Sequence, residues 1–195
     1  MHAPARSAPA LTPHAAALSA TALRPMHRFT PADAPRILSH LLGLDADDRL
    51  LRFSHGIRDE GIATYVAALD FARDQVHGLC AAHGDIVALA HAGLSEGSLD
   101  FGLSVSPAYR KRGLGRALFG HVIALAHALR APRIICLSTS PAVLHMATAS
   151  GFRRPGGRLT APLTLALQPG GYDAPGHRAE TLAAPAPLTA RHAAA

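Results

Sequence analysis

From Met26 onward, hydrophobic and polar residues alternate in recognisable periods. Before it, residues 1–25 hold mainly Ala, Pro, Ser and Thr with two charges. His27 to Thr30 reads as a short strand, and Pro31-Ala32-Asp33 opens a helix that ends near Gly43. Asp59 to about Gln75 reads as a second helix, because Ile62, Val66 and Leu69 fall on one face at helical spacing. Gly78 to Ala82 and Ile86 to Leu94 read as strands joined by a His83-Gly84-Asp85 turn. Leu99 to Ser106 is another strand, stopped by Pro107. The clearest helix runs from Gly113 to Arg130, with Leu114, Leu118, Val122, Leu125 and Leu129 as its buried stripe. Ile134 to Ser138 is a β-branched strand, Pro141 to Ser150 a short helix stopped by Gly151, and Leu159 to Leu167 a last strand. The order β-α-α-β-β-β-α-β-α-β predicts a mixed α/β layer over residues 26–168. The leader (residues 1–25) and the tail (residues 169–195) are expected to be disordered by composition. Met26 is a plausible start of translation, since order begins there.

Composition narrows the class. A chain of 195 residues with 49% hydrophobic and 16% charged residues can bury one ordinary core. Pro9, Pro13 and His14 interrupt any signal-peptide core in the leader. No uncharged apolar run is long enough to span a membrane. Cys80 and Cys136 lie in apolar stretches and form no Cys-x-x-Cys pair, which favours two buried thiols in a reducing cytoplasm. The 13 histidines form neither His-Glu-x-x-His nor a Cys/His cluster, so no metal site is expected.

Charge distribution adds more than the net +6. Residues 26–100 carry six arginines against eleven acids, whereas residues 101–168 carry nine basic residues and no acid. The second half is therefore expected to face an anion. The basic residues gather where one strand ends and the long helix begins, at Arg110-Lys111-Arg112-Gly113-Leu114-Gly115-Arg116. Helix N-termini present unpaired N–H groups and partial positive charge, and glycines let a phosphate approach the backbone. A P-loop pattern is absent, and Gly113-Leu114-Gly115-Arg116-Ala117-Leu118 lacks the third glycine of a dinucleotide fingerprint. An ordinary helix start with a solvated basic turn is the bland alternative.

The run resembles motif A of the GCN5-related N-acetyltransferases, the GNAT superfamily, whose pattern Gln/Arg-x-x-Gly-x-Gly/Ala is matched by Arg110, Gly113 and Gly115. Val105-x-Pro107 and Tyr109 upstream, and a short helix ending in Gly151-Phe152 downstream, extend the likeness over residues 26–168. The resemblance implies a GNAT-like α/β (α+β) fold with a mixed, mostly antiparallel central sheet flanked by helices. It implies acetyl-CoA, or another short acyl-CoA, as co-substrate. Backbone groups of Leu103 and Val105 would hold the pantetheine arm, and Arg110, Lys111, Arg112, Gly113, Leu114, Gly115 and Arg116 the pyrophosphate. An amine would attack the thioester directly, so positioning and proton transfer are the protein's tasks.

For the base, Asp100 is preferred, because a frequent family glutamate lies near this place on the same strand; Glu96 is second. Its alternative is a solvated strand-edge acid. For the acid, the chain departs from the family: the motif-B tyrosine position is Ala147, and the frequent asparagine is Ser140. Ser140 and His145 are weak substitutes, a capping serine and a surface histidine being blander. Asp45 to Phe53, between the first two helices, corresponds to a segment where family members commonly bind the acceptor.

Three readings follow. The first is an N-acyltransferase acting on a small-molecule or peptide amine. The second is a catalytically weak acyl-CoA-binding regulatory or sensor module. The third, a nucleic-acid binder, ranks last: aromatics are 5%, tryptophan is absent, and the basic residues surround one glycine turn. The expected partners thus exclude nucleic acid and membrane. The resemblance allows a homodimer, since family members often dimerise.

Overall fold

The structure, a computed structural model, describes residues 25–157 and 161–167. Apart from Pro25, the expected leader and tail lie outside them. Six strands form one sheet in the order β1-β2-β3-β4-β5-β6: His27–Arg28, Gln75–Cys80, Ile86–Ser95, Ser98–Val105, Arg133–Cys136 and Leu163–Ala166. All neighbours are antiparallel except β4 and β5. That parallel pair is joined by helix α4 (Leu114–Ala128), the crossover that parallel strands require.

Two apolar layers sandwich the sheet. On one face, α1 (Ala34–Leu42), α2 (Ala46–Phe53) and α3 (Asp59–Ala67) bury Ile37, Leu41, Phe53 and Ile62 against Val76 and Leu89. On the other, α4 and α5 (Pro141–Ala149) bury Leu118, Val122 and Ala147 against Leu99, Ile134 and Phe152. Of the stripe read from the sequence, Leu114, Leu118 and Val122 are buried as expected, Leu125 is partly buried, and Leu129, just past the end of α4, is 37% exposed. Cys80 and Cys136 are buried free thiols. Among the described residues, no helix is long and apolar enough to cross a membrane.

Several boundaries differ from the sequence expectation. β1 stops at Arg28 instead of Thr30, β2 runs Gln75–Cys80 instead of Gly78 to Ala82, and β5 runs Arg133–Cys136 instead of Ile134 to Ser138. The segment Asp45 to Phe53, where the sequence reading places no helix, holds one: residues 46–53 form α2, whose N-cap Asp45 accepts a bond from the Asp48 N–H at 2.8 Å. The helix expected from Asp59 to about Gln75 stops at Ala67, and Gln75 already pairs with Ala92. The reason lies in two carboxylates: Asp70 Oδ1 accepts from the Ala72 N–H at 3.1 Å, and Asp74 Oδ2 from the Asp70 N–H at 3.0 Å. These bonds give the backbone a turn in place of another helical turn. The last strand is Leu163–Ala166, and residues 158–160 of the expected span lie outside the described residues.

Candidate active site

The sheet opens where the site is expected. The pairing of β4 with β5 covers only Ser98, Leu99 and Asp100, while β4 continues to Val105. Ser106 N–H bonds to Val87 O on β3 at 2.9 Å. By strand alternation, Leu103 and Val105 therefore turn their backbone groups to the opposite, open edge. A cavity of about 510 Å³ occupies this opening. Its walls come from β4 (Asp100 to Val105), the turn to α4 (Tyr109, Arg110, Lys111, Gly113), the start of α5 (Ser140, Ala142, Val143, Met146), and α2 with α3 (Arg52, Phe53, Tyr65).

At one end lies the glycine turn. Gly113 caps α4 with φ +81°, a left-handed conformation that suits glycine, and a Cβ built there would meet nothing within 4 Å. The space in front of the turn is thus open. The first intrahelical bond runs from Ala117 N to Gly113 O, so the amides of Leu114, Gly115 and Arg116 have no partner inside the helix. Lys111, Arg112 and Arg116 are exposed around the turn. Arg112 also stacks on Tyr109, with its Cζ 5.3 Å from the ring centre.

Arg110 is engaged differently from the sequence expectation. Its guanidinium forms an ion pair with Asp48 of α2, and its Nε donates to Val105 O at 3.3 Å. The residue thus ties α2 to the open edge of β4.

At the other end the cavity meets buried polar groups. Asp100 is only 5% exposed and sits at the last residue of β4 that pairs with β5. The guanidinium of Arg52 lies over Gly102, where a Cβ would come within 1.9 Å of its Nη1. Arg52 Nη2 donates to Tyr65 Oη at 2.9 Å, and its Cζ lies 5.7 Å from the Tyr65 ring centre. Tyr65 Oη in turn is hydrogen-bonded to His91 Nδ1, and His91 Nε2 lies 3.4 Å from Asp74 Oδ2. Burial pushes the Tyr65 phenol up from its ordinary value, while Arg52 pulls it down. Neither Tyr65 nor His91 was singled out from the sequence. The available signal was a histidine inside the otherwise apolar strand Ile86–Leu94.

A second buried histidine abuts the cavity wall. His40 Nδ1 donates to Ile86 O at 3.0 Å, which leaves Nε2 to accept from the hydroxyl of the cavity-lining Ser104 at 2.8 Å. Burial lowers the His40 pKa to about 4, outweighing the opposing effect of the Ile86 carbonyl, and the charge of Arg52 adds to the lowering.

The weak acid candidates separate. Ser140 caps α5 and lines the cavity. His145 is exposed and lines no part of it. Ala147, at the position of the missing tyrosine, is fully buried in the core. Glu96 is in the β3–β4 turn with φ +49°, away from the cavity. Among the described residues, no group of three or more His, Cys, Asp or Glu is placed to hold a metal ion.

The model of the acetyltransferase (GNAT) family matches residues 46–152, more than half of the chain. The chain belongs to this family. Solved GNAT structures share its fold. A phosphinothricin acetyltransferase from Sinorhizobium meliloti in complex with AcCoA is 17% identical, with 78% of this chain and 92% of that chain covered and a TM-score of 0.59. The ribosomal-protein-alanine N-acetyltransferase from Brucella melitensis is 18% identical (74% and 100% covered, TM-score 0.57). The spermidine N-acetyltransferase from Vibrio cholerae in complex with CoA and spermine is 15% identical (76% and 98% covered, TM-score 0.58). No curated protein matches the chain. The observed sheet is mixed and mostly antiparallel, as the family resemblance implied.

Proposed function

We propose that this GNAT protein moves an acetyl group from acetyl-CoA to an amine by direct attack. The observation that supports this most is continuity. One cavity joins the open edge of β4 at Leu103 and Val105, the glycine turn at the start of α4, and the buried carboxylate of Asp100. A thioester cofactor with a long polar arm and a pyrophosphate fits that sequence of features. Leu103 and Val105 would bond the arm through their backbone. The amides of residues 111–116 would hold the pyrophosphate, with Lys111, Arg112 and Arg116 adding charge. The cofactor supplies an activated acyl group and a good leaving group. The presence of AcCoA or CoA in two solved relatives supports the assignment.

The acceptor is an amine on a small molecule or a peptide, the classes named for the solved relatives. An amine enters as a cation and must lose a proton before it can attack. Asp100 would attract the cation and take that first proton. Ser140, at the start of α5, is the remaining candidate for protonating the departing sulfur. The acting unit is the domain of residues 26–168, working in the cytoplasm.

A second reading, an acyl-CoA-binding regulatory module, is favoured by the burial of Ala147, which leaves the usual acid position without a polar group. One experiment separates the two. Acetyl-CoA is titrated calorimetrically into the full chain and a Gly113→Asp variant. CoA release is then followed with spermidine, an alanine-initial peptide and phosphinothricin. Binding lost in the variant, together with turnover, is expected. Binding without turnover of any amine would favour the module, and no binding by a folded chain would sink both readings.

A further inference from the structure

The buried polar groups beside the cavity form a connected chain. Arg52 donates to Tyr65 Oη, and the Asp74 carboxylate faces His91 Nε2, which favours hydrogen on Nε2 and leaves Nδ1 to accept the phenol hydrogen. With Nδ1 accepting, the neutral ring carries its hydrogen on Nε2, the nitrogen that faces Asp74. The result is a hydroxyl, an imidazole and a carboxylate in series, the arrangement by which a hydroxyl exchanges protons efficiently. The three belong to different elements: Tyr65 to α3, His91 to β3, and Asp74 to the turn before β2. Of the three, Tyr65 is the one that lines the cavity.

Burial and charge make the chain more than a packing device. Tyr65, His91, Asp74 and Asp100 are each at most 5% exposed. Around Tyr65 stand Arg52 from α2, Asp74, His91 and Asp100 of β4, while His40 of α1 bonds Ser104 and is held neutral by burial. Arg28 of β1 adds a second cation on the Asp74 side, its Nη2 3.5 Å from Asp74 O. An imidazolium on His91 would lie 3.4 Å from the Asp74 carboxylate, which would stabilise a proton taken up there.

Resting on the acetyl-transfer reading, we propose that Tyr65, His91 and Asp74 are a proton relay that takes the second proton of the acceptor amine. The acceptor loses two protons in all. The first leaves the ammonium to Asp100. The amine nitrogen then bonds the acetyl carbon and becomes positively charged. Its proton passes to Tyr65 Oη as the phenol proton passes to His91 Nδ1, giving an imidazolium beside Asp74. The C–S bond breaks, and CoA leaves as thiolate. One of the two stored protons goes to that sulfur, and the other to solvent with the products. Tyr65 is the catalytic residue of the relay; His91 and Asp74 act through it.

The test uses the full chain with Tyr65→Phe, His91→Gln and Asp74→Asn. Acetyl-CoA affinity is measured first. CoA release is then followed from about pH 5.5 to about pH 9 with the best amine of the three named above, or with water if none serves. The His91 imidazole is titrated by NMR in the substrate-free protein. Tyr65→Phe is expected to lower kcat about 100-fold or more, while the amine KM and acetyl-CoA Kd stay within about threefold. The ascending limb of kcat with pH should coincide with the His91 titration, and Asp74→Asn should move both to lower pH, because a carboxylate stabilises the imidazolium. A purely structural network would instead lower kcat and melting temperature together and leave the limb in place. The relay is overturned if Tyr65→Phe stays within about threefold of wild type, or if Asp74→Asn moves neither limb nor titration. Wild type that binds acetyl-CoA and releases CoA while Tyr65→Phe does the same loses the relay and keeps the acetyl-transfer reading. Failure to bind acetyl-CoA, or binding with no release to any nucleophile, removes both.

Discussion

His40 offers a prediction whose size comes directly from its surroundings. Its pKa is lowered from 6.5 to about 4, chiefly by burial. The unfolded chain therefore takes up a proton near pH 6.5 that the folded protein refuses until about pH 4. A depressed folded pKa gives stability that is fully present above the unfolded value and is lost as pH falls through this window. At 1.36 kcal/mol per unit, the contribution of this one group falls by about 3 kcal/mol between pH 7 and pH 4. Other groups titrate there too, so the useful quantity is the gap between wild type and His40→Gln, measured by urea unfolding at both pH values. At pH 7 the variant should be less stable by about 1–3 kcal/mol, since the bonds to Ile86 O and Ser104 Oγ are lost or remade poorly. At pH 4 the gap should close or reverse by about 3 kcal/mol, because glutamine has no proton to take up. A gap that stays constant across this range would refute the claim that His40 is buried neutral on Ser104.

Three other changes probe separate parts of the argument. Gly102→Ala puts a Cβ within 1.9 Å of Arg52 Nη1 and should cost about 1–3 kcal/mol in urea unfolding, with a drop in turnover as Arg52 leaves Tyr65. Arg110→Ala breaks a partly exposed ion pair with Asp48, so stability should fall by about 1 kcal/mol at most, while the calorimetric Kd for acetyl-CoA should rise about tenfold if this guanidinium also serves a phosphate. Leu118→Ala, at a fully buried position between α4 and the sheet, should cost about 2–5 kcal/mol, read from the same unfolding curves.

The fold was legible wherever the apolar period had one cause. α4 carries a stripe facing one core, and β3 buries eight of its ten residues and β4 five of its eight, so their spans read almost correctly from the sequence. The errors came where two causes overlapped. Leu69 continues the period of α3, yet it packs against the same core from beyond the end of the helix. Periodicity reports burial, not conformation. The missed helix α2 has only eight residues, four of them charged, and its helical signal lay in the cap Asp45. The glycine turn was legible because its chemistry is local: basic residues and two glycines at the start of one helix.

The inner end of the cavity was not legible, for the opposite reason. Arg52, Tyr65, Asp74 and His91 are spread over forty positions, and nothing in their local sequence relates them. What brings them together is register. Pairing of β3 with β4 sets His91 opposite Gly102, and the missing side chain of Gly102 leaves the space that the Arg52 guanidinium fills. A register shift of one residue would turn His91 to the other face of the sheet. The same glycine thus admits the cation, the cation holds the phenol, and the phenol addresses the histidine. Such a chain can be inferred only once the sheet is built. Its members share no motif, so a glycine in the middle of a strand, opposite a histidine in an apolar run, is the trace it leaves in the sequence.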